Sequence, residues 1–360
     1  MTSGDQPAAQ KSEKRRPATA AEEVAPGIIR IMLPIDLPGL GHINCYALPD
    51  ERGVALVDPG MADGVTFEVL QQRLVEIEIT IDQVHTVVST HSHLDHFGGV
   101  ARLRVADVFP EVVAHNSFGE NWHDGYGHLW EHEDSEALDE RTESDIEELA
   151  SKLTRAAPWG GTTDPLPASL LKVWGDGIEI LDVFRPPAVS RRVTNDDSIL
   201  LGEGQWRVIH TPGHADDHIC LWSAERGVLL SGDHVLPTIT PHISGFSELE
   251  NPLGAFFESL HRVGELEGAT LVLPAHGDPF TDLAGRAAAI HDHHRGRLER
   301  VREIGREIGE QPVDAYMRVL FRERSWGSMA ASETYAHLEW LRKNGEASRE
   351  EVSGWLRYEV

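Results

Sequence analysis

The stretch "THSHLDHFGG", residues 90–99, places His91, His93, Asp95 and His96 within six positions, directly after the apolar run "VHTVVS" at 84–89. The apolar run reads as a strand, so His91 and His93 stand at a strand end while Asp95 and His96 open the following turn. Imidazole nitrogen and carboxylate oxygen suit a divalent ion such as Zn²⁺ at roughly 2.0–2.2 Å. Four such groups cannot crowd one tetrahedral ion that also keeps an open position. The loop therefore predicts two ions and asks for more ligands elsewhere.

Those ligands occur downstream, each at a predicted strand end and each beside Gly or Pro: His214 in "HTPGHADDH", Asp233 in "LLSGDHV" and His276 in "VLPAHGDP". The surrounding texture is α/β. Short apolar runs, "GIIRIML", "INCYAL", "GVALVDPG" and "EVVAH", alternate with helical patterns such as "DGVTFEVLQQRLVEI". A second series follows from "SILLGEGQWRVIHTPG" to "ATLVLPAHG". Two strand-rich halves closed by helices predict two packed sheets with helices outside. Loops at strand ends gather along one sheet edge, so ligands distant in sequence can converge there. The remaining histidine-rich pieces, "HDHH" at 291–294 and "HDGYGH" at 123–128, read as surface or loop histidines.

The 360 residues hold 59 acidic and 32 basic side chains, a formal net charge of -27. That balance disfavours phosphate backbones and anionic membranes as partners. Residues 1–25 are polar and without apolar period, and read as a disordered, solvated tail. They carry no apolar signal segment and no run approaches a membrane span, which predicts a cytoplasmic protein. Cys45 and Cys220 sit in apolar strand-like runs and read as buried free thiols. Residues 26–285 form the predicted catalytic domain. An insertion spans about 116–175, and a helical, winged-helix-like module with near-balanced charge spans 286–360. The module reads as a packing or dimerisation element without a nucleic-acid role, so a small acyl substrate and a second copy of the chain are the expected partners.

The set "THSHLDHFGG", "TPGHADDH", "SGDH" and "PAHGDP", preceded by "LVDPG", resembles the metallo-beta-lactamase-fold hydrolase superfamily over roughly residues 27–285. Within it the pattern is most similar to beta-lactamase-like and glyoxalase-II-like hydrolases with a C-terminal winged helix. The resemblance implies an αββα sandwich of the α+β or α/β class. It also implies His91, His93 and His214 at one metal, Asp95, His96 and His276 at a second, and Asp233 bridging them. Asp58 in "LVDPG" matches a position that orients a ligand, and His218 is a further candidate for that duty.

Two such ions, zinc first with iron or manganese as alternatives, would deliver a metal-bridging hydroxide to an ester, thioester or lactone carbonyl, with Asp95 and Asp233 as the catalytic carboxylates. Ribonuclease, β-lactamase and mononuclear-iron persulfide dioxygenase-like chemistry are the alternatives. Against a β-lactamase stands Asp233, where the family's cysteine-ligated members carry Cys. Substrate-pocket candidates are His42 in "GLGHINCYAL" and, in the insertion, Trp122, Tyr126, Trp130 and Trp159, as a lid or apolar wall.

Overall fold

Segments such as "INCYAL" and "GVALV" are apolar at nearly every position, as expected of strands covered on both faces. The computed structural model, which describes residues 11–37, 39–120, 142–174, 178 and 180–360, shows what covers them. One sheet holds β1 (Glu22–Ala25), β2 (Ile28–Leu37), β3 (Leu40–Asp50), β4 (Gly53–Val57), β5 (Val84–Val88), β6 (Glu111–His115) and β7 (Arg191–Val193), in that spatial order. Strands β1 to β4 pair antiparallel and β4 to β7 parallel. The second sheet contains β8 (Ser198–Leu201), β9 (Gly204–His210), β10 (Ile219–Ser223), β11 (Val228–Gly232) and β12 (Leu271–Pro274). It too runs in chain order, and its β11–β12 pair is parallel.

Successive side chains of one strand enter different cores. In β3, Tyr46 and Leu48 join the apolar cluster between the sheets, whereas Cys45 and Ala47 face the helices outside. In β10, Ile219 and Leu221 point between the sheets, and Cys220 and Trp222 point outward. This alternation is the physical content of the αββα sandwich. Both cysteines are free and buried.

The outer layer of the first sheet is α1 (Gly64–Glu76), α2 (Leu94–Phe97), α3 (Gly99–Val105), α4 (Glu143–Lys152), α5 (Ala168–Trp174) and α6 (Ile180–Phe184). Helix α1 starts where the Asp63 carboxylate accepts the Thr66 amide at 2.8 Å, and it buries Leu70 and Leu74 one turn apart. Ile146 and Ala150 of α4 and Leu171 and Trp174 of α5 enter the same core, so this part of the insertion belongs to the helix layer.

On the second sheet lie α7 (Pro252–Gly264) and α8 (Leu283–Ile308), followed by β13 (Gln311–Pro312), α9 (Val313–Leu320), α10 (Ser328–Lys343), β14 (Ser348–Val352) and β15 (Trp355–Glu359). The last strands form a three-stranded antiparallel sheet. Phe256 of α7, Ile290 and Val301 of α8, Tyr316 of α9, Leu338 of α10 and Tyr358 of β15 share one core. The predicted boundary at 285/286 thus falls inside α8. Among the described residues, no helix is long and apolar enough to cross a membrane.

The expected disordered tail is corrected for residues 11–25. Glu13 is fully buried, and its carboxylate accepts the amides of Thr238 at 2.7 Å and Ile239 at 3.0 Å. β1 pairs with β2, and the Ala21 amide donates to Glu76 at 2.9 Å. A polar composition hid this order because Glu13's amide donors, and the Thr238 hydroxyl that joins them, lie more than two hundred positions away.

Candidate metal centre

Every predicted ligand follows the carboxyl end of a strand: His91 to His96 follow β5, His214 follows β9, Asp233 follows β11 and His276 follows β12. The two sheets are tied together at this edge. Ile219 donates to the Thr90 carbonyl at 2.8 Å, and the Asn44 side chain donates to the carbonyls of Pro274 and Gly277, both at 2.8 Å.

The seven side chains converge into two groups, His91–His93–His214–Asp233 and Asp95–His96–His276, and within each the ligand-type atoms lie within 4.8 Å of one another. In the first, His93 Nδ1 is 2.8 Å from His91 Nε2 and 3.2 Å from His214 Nε2. In the second, His276 Nε2 and His96 Nε2 stand 3.3 and 3.7 Å from Asp95 Oδ2. Asp233 lies between the groups: Oδ2 is 3.5 Å from His214 and 3.7 Å from His96, and Oδ1 is 3.4 Å from His276.

Three of these buried atoms, His96 Nε2, His276 Nε2 and Asp233 Oδ1, have no hydrogen-bond partner. Buried polar atoms without partners are costly, and a cation is the group that satisfies imidazole lone pairs and carboxylate oxygens together. The titration behaviour agrees. Burial holds His91, His93 and His214 below the usual imidazole range, His93 at about 3, so their lone pairs are open. Burial opposes charge on His96 as well, but Asp58, Asp95 and Asp233 outweigh it and raise its pKa; Asp233 and Asp95 do the same for His276. Against the pull of burial, His96 and His276 hold Asp95 at about 2, and His276 and His96 hold Asp233 well below the carboxylate range. The residues fit a divalent-metal site.

The predicted ligands are held by their neighbours. Asp58 Oδ2 is 2.9 Å from His96 Nδ1, and the Asp58 carboxylate accepts the Thr90 amide and hydroxyl, each at 2.8 Å. His218 Nε2 accepts the Asp233 amide at 3.0 Å while its Nδ1 stands 2.7 Å from the Thr211 hydroxyl. The orienting duties expected of Asp58 and His218 thus have partners.

His42 is not a wall of the pocket. Its ring is fully buried, Nδ1 donates to the Arg15 carbonyl at 2.9 Å, Nε2 accepts the Gly277 amide at 3.2 Å, and its own carbonyl accepts His276 Nδ1–H at 2.7 Å. Both ring nitrogens are engaged, and its carbonyl positions the His276 ring. Trp159 is buried against Phe246 and Tyr335, ring centroids 5.1 and 5.4 Å away, in the core shared with the C-terminal module. Trp122, Tyr126 and Trp130 lie outside the described residues.

Sequence reasoning missed Thr90, which braces Asp58, and His242, whose carbonyl accepts His214 Nδ1–H at 2.7 Å. The second contact is through the main chain and leaves no residue-type signal. The glycines beside the ligands did leave one. A Cβ on Gly213, at φ +136°, would meet the backbone of Phe256, and one on Gly232, at φ +51°, would lie 2.6 Å from His218 Nε2.

The metallo-beta-lactamase superfamily profile matches residues 38–303. The chain belongs to the metallo-beta-lactamase superfamily. A probable metallo-hydrolase of Bacillus subtilis (strain 168), YqjP, is 26% identical over 347 residues, covering 91% of this chain and 95% of the relative. An atrochrysone carboxyl ACP thioesterase of Aspergillus chevalieri is 24% identical over 80% of this chain and 68% of its own length. The crystal structure of a metallo-beta-lactamase family protein from Thermus thermophilus superimposes with a TM-score of 0.70 at 26% identity, over 93% of this chain and 99% of that one. The protein is a hydrolase of the metallo-beta-lactamase fold, with clustered His and Asp side chains that fit a metal site.

Proposed function

We propose that this metallo-beta-lactamase-fold hydrolase is dinuclear and cleaves an ester, thioester or lactone carbonyl of a small to medium acyl substrate. His91, His93 and His214 would hold one ion, Asp95, His96 and His276 the other, and Asp233 both, with zinc the ion that best suits the nitrogen-rich donor set. The observation that carries this reading is Asp233, which turns one oxygen toward His214 and His96 and the other toward His276. Ions bound there supply an activated water at neutral pH and polarise a carbonyl oxygen.

The chain's own residues do the rest. Asp95, held ionised by His96 and His276, is an acceptor that orients water toward a carbonyl carbon. Asp58 fixes the direction of the His96 imidazole and His218 pins the Asp233 backbone, which keeps the acceptor geometry from relaxing during turnover. Among the acyl classes, thioesters have the added support of the thioesterase of Aspergillus chevalieri among the relatives.

The test is a hydrolysis panel of thioesters, lactones, simple esters, β-lactams and single-stranded RNA, run on wild type and Asp233→Ala. One acyl class should be turned over, with activity abolished by chelation and kcat reduced on the order of 10³-fold by Asp233→Ala. Turnover of RNA or β-lactam alone would overturn the proposal.

A further inference from the structure

Behind the sheet edge, and joined to it through His242, a third group of ligand-type side chains is built where α10 packs on α8. His294 projects from α8, and Glu333 and His337, four positions apart, project from one face of α10. One ligand-type atom from each lies within 4.8 Å of the others. Both histidines are fully buried, and the Glu333 side chain is only 12% exposed. The expectation that "HDHH" at 291–294 lies on a surface is therefore corrected for His294.

His294 Nδ1 and His337 Nε2 are 3.2 Å apart, the same separation as His93 Nδ1 and His214 Nε2 at the sheet edge. His337 Nδ1–H donates to the Glu333 carbonyl at 2.7 Å, which fixes the tautomer and leaves the Nε2 lone pair facing His294, whose Nδ1–H donates to it. A metal-binding imidazole is held in this way, by a carbonyl on its other nitrogen. His294 Nε2 has no partner, so no second hydrogen bond locks this ring against turning either nitrogen inward. Burial lowers the pKa of both imidazoles.

Glu333 brings the negative charge. Its Oε1 pairs with Arg297, and its Oε2 is 3.5 Å from His242 Nδ1. Arg297 balances the carboxylate without an ion, and beside a bound ion its charge weakens the site.

We propose that His294, Glu333 and His337 form a separate divalent-metal site, for zinc or a similar borderline ion, that clamps α10 to α8. It is distinct from the sheet-edge residues and does not depend on their being dinuclear. Two histidines and one carboxylate leave a position for water in a tetrahedral shell.

The experiment is a zinc titration of the metal-free full chain against a chromogenic chelator. His337→Gln and His294→Gln should each bind one zinc fewer than wild type, whatever the wild-type total. A chain with the sheet-edge site dismantled by His91→Ala, His96→Ala and Asp233→Ala should keep one zinc, lost on adding His337→Gln. Arg297→Met keeps all three ligands and removes the opposing charge, so it should tighten that one equivalent by roughly tenfold. Zinc stoichiometry unchanged in both histidine variants, or no effect of Arg297→Met on any equivalent, would overturn the proposal and leave these side chains as a hydrogen-bonded packing cluster.

Discussion

The smallest feature with consequences is Asp58, which has a left-handed backbone (φ 55°) immediately after β4 and grips both Thr90 and His96. Replacing it with Ala frees the His96 ring and should weaken zinc binding at the sheet edge by about 10–100-fold, measured by competition titration. Glu13 offers a test in pH. Burial pushes its pKa up, but hydrogen bonds from Thr238 and Ile239 outweigh that and leave it below the usual value. A depressed folded-state pKa stabilises fully above the unfolded value and is lost as pH falls through the folded one. Glu13→Gln should therefore melt below wild type at pH 7, and the gap should close below about pH 4 in thermal scans. The seven converging residues were legible from their types and from the Gly or Pro beside them. The residues that aim them were legible only in part. Asp58 and His218 offer side chains to be noticed, whereas His42 and His242 act through carbonyls that any residue possesses.

Elements were legible where burial imposes a period. β3, β4, β10 and β11 are apolar on both faces because one side meets the other sheet and the other meets helices. The N-terminal segment was not legible, since its order comes from one buried carboxylate and one edge-strand pairing, not from an apolar pattern. The link from element to site runs through glycine. Gly213 lets the loop after β9 pass against α7, and Gly213→Ala would push a Cβ into Phe256 at a φ that disfavours side chains. The expected cost is about 2 kcal/mol or more, with weaker zinc binding because His214 moves with the loop. Thermal melting and metal titration on the same sample check both effects. A lower melting temperature with unchanged zinc affinity would uncouple the loop from the ligand.

At the scale of the whole molecule, the C-terminal module completes the core over the second sheet. Tyr316, Leu338, Leu341 and Tyr358 are buried with Phe256 and Leu260 of α7. Removing residues 309–360 would strip that cover, and the truncated chain should lose its near-ultraviolet circular dichroism and aggregate. A soluble, cooperatively melting truncation would show the module to be dispensable. The composition suggested a small appended unit because charge and helical period change near residue 286, but the partners of its apolar faces lie upstream and cannot be read locally. How many ions the sheet edge holds for catalysis is decided by metal content per chain in the His337→Gln background, measured by mass spectrometry alongside turnover. Two ions are expected, with loss of at least one and of activity when Asp233→Ala is added. A single ion supporting full turnover would contradict the dinuclear reading.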